Sequence, residues 1–198
     1  MDYLAKKLIY DSKINHRKKL VHIFTPKCGG SSVTEWLHML DPNDEWQSYP
    51  TLCKSIPRGY TSFATVRNPV DWVLSGYKMY VQRYDLKISF EEHTELILNP
   101  ITIMRGSADY INKNFQWGDY WWHCGITPDM HLLPNTYTFK IENIESLQRW
   151  LCRYYRNAVN VPMIHTNTTK NMDIDITQVA LSNISKKMHY YAERYKYK

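Results

Sequence analysis

The apolar residues of this chain fall into short runs that alternate with longer amphipathic stretches. Leu20-Val21-His22-Ile23-Phe24-Thr25 is of strand length, rich in β-formers, and stops at Pro26. A glycine pair, Gly29-Gly30, follows. Ser31 to Leu40 then reads as a helix capped by Ser31 or Ser32, with Ser32–Glu35 as the pairing that fits a capping box. Asp41-Pro42-Asn43-Asp44 ends that helix. The pattern repeats: Thr61 to Arg67 reads as a strand, Asn68 as a helix cap and Pro69 as the first helical residue. From Pro69 to about Tyr84, the residues Val70, Val73, Leu74, Tyr77 and Val81 share one helical face. Ser89 opens a further helix, Phe90 to Leu98. A third strand is expected over Thr136 to Ile141, running into a helix that carries Ile144, Leu147, Leu151 and Tyr155. The last helix spans roughly Ile176 to Tyr195. Strands alternating with helices predict an α/β fold, a central parallel sheet covered on both faces. Ligands of such sheets bind beyond the carboxyl ends of the strands.

Composition narrows the class. A chain of 198 residues suits one domain over 1–198. Residues 1–19, with Lys6, Lys7, Lys13, Arg17, Lys18 and Lys19, read as a loosely packed basic lead-in. Hydrophobic residues at 43% and charged residues at 22% exclude intrinsic disorder and collagen-like structure. No run of about 18 apolar residues occurs, and Met1 to Lys7 lacks a secretory core, so a cytoplasmic protein is expected. Cys28, Cys53, Cys124 and Cys152 form no CxxC pair and read as reduced thiols. Lys plus Arg outnumber Asp plus Glu by 25 to 19, giving a net charge of +6. That excess fits plain solubility or an anionic partner: nucleotide, nucleic acid or acidic glycan. Sixteen tyrosines and seven tryptophans serve either a core or the stacking of planar and sugar ligands.

Chemistry concentrates between the first strand and the first helix. Pro26-Lys27-Cys28-Gly29-Gly30-Ser31-Ser32 brings a lysine, two glycines and two hydroxyls to a helix start. Glycines let backbone approach a ligand, and a helix N-terminus offers free N–H groups and positive potential. The combination is a cradle for phosphate or sulfate. It departs from the Walker A loop, in which the lysine follows the last glycine and a Ser/Thr follows the lysine. A tight turn before a capped helix is the plainer reading of the same residues. At the second strand end, Arg67 can grip a phosphate through two parallel N–H groups, and Ser75 on the following helix can add a hydroxyl. An ion pair between Arg67 and Asp71 is the alternative there.

Taken together, PKCGGSS after one strand and VRNPVDWVLSGY after another resemble the PAPS-dependent sulfotransferases, in particular the carbohydrate type. Phe139-Lys140-Ile141-Glu142-Asn143-Ile144 and Val161 to Lys170 resemble two later family segments, so the likeness runs over residues 20–198. The resemblance implies a three-layer, P-loop-kinase-like sandwich and transfer of the sulfuryl group of PAPS (3′-phosphoadenosine-5′-phosphosulfate) to a hydroxyl. It implies that Pro26, Lys27, Cys28, Gly29, Gly30, Ser31 and Ser32 hold the 5′ side of PAPS and that Arg67 and Ser75 hold the 3′-phosphate. It also implies that Thr169 and Lys170 close over the nucleotide. Cys28 departs from the family, which commonly has Thr there. A thiol is a poor donor, though backbone N–H groups can carry the contact. A low-pKa thiol at a helix N-terminus beside Lys27 is the other reading of Cys28.

Sulfuryl transfer needs positioning, electrostatic stabilisation and a base for the acceptor hydroxyl. Lys27 is the cation for the leaving oxygen. Among Glu35, His38, Asp41, Asp44 and Glu45, the expected base is Glu45, placed near the end of a second strand. His123 and His131 are next in order. Phe115 to His123 is dense in aromatics, and Trp117, Trp121, His123 and His131 are weak candidates for an acceptor wall, against simple core packing. No HxH or HExxH occurs, so no metal is expected. The expected partners are PAPS and a hydroxyl acceptor, by the resemblance a glycan, with neither nucleic acid nor membrane. A sugar or nucleotide kinase, a basic nucleic-acid-binding module and a relative that binds PAPS without turnover are the rival readings.

Overall fold

Leu20, Val21 and His22 are all fully buried, because β2 (Leu20–His22) has strands on both sides and packing on both faces. The computed structural model describes residues 11–50, 55–84, 87–98, 127–163 and 172–197. Over these it is an α/β protein, and the chain divides into two compact units. The first comprises residues 1–67 and 128–168, the second residues 68–127 and 169–198.

The first unit holds a five-stranded sheet in the order β3-β1-β2-β4-β5. Its strands are β1 (Asp11–Asn15), β2, β3 (Gln47–Pro50), β4 (Thr61–Val66) and β5 (Tyr137–Lys140). β2, β4 and β5 are parallel, as the alternation of elements predicts, but β1 runs antiparallel to both β2 and β3. The sheet is therefore mixed, not wholly parallel. The difference lies in residues expected to be a loose lead-in, which instead supply an interior strand. Of Ser12, Ile14 and Asn15, all buried, one alone is apolar, which is why the strand escapes a hydrophobic pattern. The polar pair is buried with partners: Ser12 Oγ accepts from Phe24 N at 2.9 Å, and Asn15 Oδ1 accepts from Lys18 N at 2.8 Å. The second bond also shapes the β1–β2 turn, which closes with Lys19 at φ 53°.

Residues alternate across the sheet. Leu20 and Phe63 point to one face, against Val33, Trp36 and Leu37 of α1 (Gly30–Leu40) and Leu147 and Leu151 of a second helix. Val21, Ile23 and Ala64 point to the other, with Ile14 and the partly buried Tyr49, Tyr60 and Leu132. That second helix, α4 (Ile144–Leu151), follows β5 through a short 3-10 turn, Ile141–Asn143. Helices that return after parallel strands end where the strands begin; accordingly Asn157 Nδ2 donates to Leu40 O at 3.1 Å.

The second unit holds α2 (Pro69–Tyr84), α3 (Phe90–Leu98) and α5 (Gln178–Arg194). Both of its predicted caps form. Asn68 Oδ1 accepts from Val70 N at 2.9 Å. Ser89 Oγ accepts from Glu92 N at 3.1 Å while Glu92 Oε2 accepts from Ser89 N at 2.7 Å, a reciprocal box. Asn183 Nδ2 donates to Thr94 Oγ1 at 3.2 Å, tying α5 to α3 through buried polar groups. No helix among the described residues is long and apolar enough to cross a membrane.

Phe63 is fully buried while Tyr137, on the neighbouring strand, is 51% exposed. Phe63→Ala is expected to lower unfolding free energy by about 3–5 kcal/mol, and Tyr137→Ala by no more than about 1. Urea titrations of both variants check this; equal losses would contradict the difference in burial.

Candidate anion site

The chain leaves β2 still paired, with Ile23 N donating to Phe63 O at 2.8 Å. It then turns sharply. Thr25 Oγ1 donates to Thr65 O, Cys28 N donates to Thr25 O at 3.3 Å, and Thr65 Oγ1 donates to Cys28 O at 2.7 Å. Two buried threonines thus fasten the loop to the end of β4. Lys27 sits at φ 59° and Gly29 at φ 78°, both left-handed. For lysine that conformation is disfavoured by roughly 1–2 kcal/mol, so the loop carries strain that the threonine bonds hold in place.

Both glycines are required by space. A Cβ on Gly29 would stand 2.7 Å from Ile141 Cδ1, and one on Gly30 would stand 2.6 Å from the Phe24 ring. Gly29 is also the N-cap of α1, and no side chain caps it. Ser31 and Ser32 are therefore not the cap, and the expected capping box does not form: the helix begins one residue early, at Gly30. The first helical bond is Val33 N to Gly29 O at 3.0 Å. The N–H groups of Gly30, Ser31 and Ser32 precede it, in the first turn of α1. The first turn also contains no acidic residue.

Two cations meet here. Arg67, one residue past β4, donates from Nη1 to the carbonyl of Lys27 at 3.1 Å. Burial, and then the charge of Arg67, pull the Lys27 ammonium down to about 8. Among the described residues no carboxylate is paired with that ammonium. A half-buried ammonium, a guanidinium and an open helix N-terminus on one strand edge favour a ligand carrying multiple negative charges. Cys28 beside them is fully buried, and burial pushes its thiol up to about 12 despite Arg67. This overturns the reading of Cys28 as a reactive low-pKa thiol.

The other expected site residues are distributed unevenly. Glu45 is not brought to the loop. Ile14 pairs with both Val21 and Gln47, and Val21 pairs with Ser62, so Gln47 shares a row with the starts of β2 and β4. Glu45, which accepts from Gln47 Nε2 at 3.1 Å, therefore lies at the edge opposite Lys27. It lines a pocket of about 340 Å³ with His16, Arg17, Asn43 and Gln47. The expectation failed because β3 begins after Glu45 rather than ending near it. Ser75 lies in α2, within the second unit. His131 closes the 3-10 turn Pro128–His131, its side chain outside the described part. Trp117, Trp121, His123, Thr169 and Lys170 lie outside the described residues. Two carboxylates missed in the sequence act on the loop instead: the charges of Glu142 and Asp129 both raise Cys28. Glu142 had a signal, its place at the end of β5; Asp129 had none.

Comparison of the chain with protein-family models, curated proteins and solved structures gives no match.

The lowered Lys27 pKa has a definite linkage sign. Between about 8 and its unfolded value of 10.5 the unfolded chain binds more protons at this position than the folded one. This group therefore makes the ligand-free fold more stable as pH rises through that window, and destabilises it below. Lys27→Met is expected to stabilise the ligand-free protein at pH 7 by roughly 1–3 kcal/mol and to flatten that rise. Thermal unfolding across pH checks this; a destabilised Lys27→Met protein would contradict it.

Proposed function

We propose that the chain is a sulfotransferase that moves the sulfuryl group of PAPS to an acceptor hydroxyl, in particular one on a carbohydrate. One observation carries the reading: an unpaired, half-buried lysine and an arginine meet at an uncapped helix start, in a glycine loop beyond the carboxyl end of a parallel strand. The motif resemblance supplies the identity of the anion. With it goes the three-layer, kinase-like sandwich, with which the α/β content and the mixed five-stranded sheet are compatible.

In this reading the loop amides from Gly29 to Ser32 hold the 5′-phosphate, and Arg67 holds the 3′-phosphate. The acceptor oxygen attacks sulfur in line as the bond from sulfur to the bridging phosphate oxygen breaks. The electron pair of that bond stays on the phosphate, and the Lys27 ammonium offsets the charge that builds there. The hydroxyl proton passes to a carboxylate. Asp129 takes this role in place of Glu45: it is half-buried on a fixed turn, with Leu132 N donating to its carbonyl at 3.0 Å, whereas Glu142 is exposed.

Calorimetry with PAP and ATP tests the donor site, and turnover of PAPS tests the chemistry. PAP is expected to bind in preference to ATP, and Arg67→Ala to weaken PAP at least tenfold, as loss of a charge-assisted pair implies. Lys27→Ala should lower turnover roughly 100-fold or more. Asp129→Asn should lower turnover with PAP affinity unchanged. ATP preferred over PAP would overturn the reading, and wild-type turnover in Asp129→Asn would remove Asp129 from it.

A further inference from the structure

The edge of the sheet opposite the anion loop is rich in positive charge, although Asp41, Asp44 and the exposed Glu45 also lie there. The β1–β2 turn brings Lys18 and Lys19, the approach to β4 brings Arg58, and the turns after α4 bring Arg153 and Arg156. Direct contacts join these segments into one surface. Lys18 Nζ donates to Tyr154 O at 3.0 Å and lies 4.9 Å from the Tyr155 ring centroid. Thr61 N donates to Lys19 O at 2.9 Å, which fixes the Arg58 turn against the Lys19 turn. Among the described residues Lys19, Arg58, Arg153 and Arg156 are all exposed and none is ion-paired. Arg17 is different, being held by Asp41 and Asp44.

Apolar side chains protrude at the same edge. Of the exposed large hydrophobic residues described in the first unit, Met39 is 41%, Tyr137 51% and Val159 52% exposed. Met39 is on the last turn of α1, Tyr137 is the first residue of β5, and Val159 follows Arg156 in the turns after α4. The Asn157–Leu40 bond sets Val159 beside the end of α1, and Trp150 stands 5.3 Å from the Tyr137 ring and 5.4 Å from that of Tyr154. Cations around protruding apolar groups suit an anionic bilayer surface, where headgroups meet the charges and acyl chains meet the apolar tips. A single-stranded nucleic acid would need exposed rings for stacking. Here Tyr155 is buried under Lys18 and the Tyr60 hydroxyl is bonded to His16, which leaves Tyr137, tilted at 41° against Trp150, as the one exposed ring among them.

We propose that this edge docks the protein peripherally on anionic phospholipid membranes, through Lys19, Arg58, Arg153 and Arg156 with Met39 and Val159 at the contact. Docking there leaves the opposite edge, with Lys27 and Arg67, facing the aqueous side. No spanning helix is needed for such binding.

Flotation of the full chain with vesicles tests it. One set is phosphatidylcholine alone, the other equal parts phosphatidylcholine and phosphatidylserine. The protein should float with the anionic set only and should be released by raised salt. Arg153→Gln/Arg156→Gln should weaken that binding roughly tenfold or more, at about fivefold per surface cation. Val159→Asp should weaken it separately, and both variants should keep wild-type unfolding transitions and PAP affinity. Failure to float with phosphatidylserine overturns the proposal, as does floating that the arginine variant leaves unchanged. Tight capture of a mixed-sequence oligonucleotide without flotation would assign the edge to nucleic acid and overturn it equally.

Discussion

The loop from Thr25 to Gly30 is held by the end of β4, and everything proposed for function depends on that attachment. Thr25 bonds the Thr65 carbonyl, Thr65 bonds the Cys28 carbonyl, and Arg67 bonds the Lys27 carbonyl. Three consecutive contacts from one strand end thus impose a left-handed lysine and place its ammonium near a guanidinium. Neither arrangement is favourable in isolation. Left-handed backbone disfavours lysine, and like charges in a half-buried site repel. A polyanion relieves the second penalty directly.

The two edges of the first unit divide its chemistry. The carboxyl edge carries the glycine loop, the helix start and the paired cations. The amino edge carries helix C-termini, surface cations with no ion pair among the described residues, the carboxylates of Asp41, Asp44 and Glu45, and protruding apolar side chains. The β2 and β4 strands between them are covered on both faces and carry no solvent-facing side chain on β2. Rigid strands with chemistry confined to their ends are what an α/β sheet offers, and the order of elements along the chain already implies it.

Much of this was legible in the sequence. β2, β4 and β5 appear as short runs of β-formers, and α2 and α3 have the expected bounds because Asn68-Pro69 and Ser89–Glu92 state their own starts. The loop was legible through its two glycines, one held left-handed at φ 78° and the other close against the Phe24 ring. Three features were not. β1 hides because buried Ser12 and Asn15 accept specific backbone hydrogen bonds, and such partners leave no periodicity. The α1 cap was misassigned because a left-handed glycine did the work expected of a serine. Glu45 was misplaced because its position depends on strand direction, and β1 reverses direction within residues that looked like a tail. Asp129 was invisible since its charge acts on Cys28 through tertiary structure alone.

The state of the Lys27 ammonium is the most direct gauge of the account. NMR titration of its side chain, assigned through Lys27→Arg, reads that state with and without PAP. The account predicts titration near about 8 in the free protein, well below the ordinary 10.5, and a rise of the midpoint when PAP is bound. A lysine that titrates at its ordinary value and does not respond to PAP would contradict it.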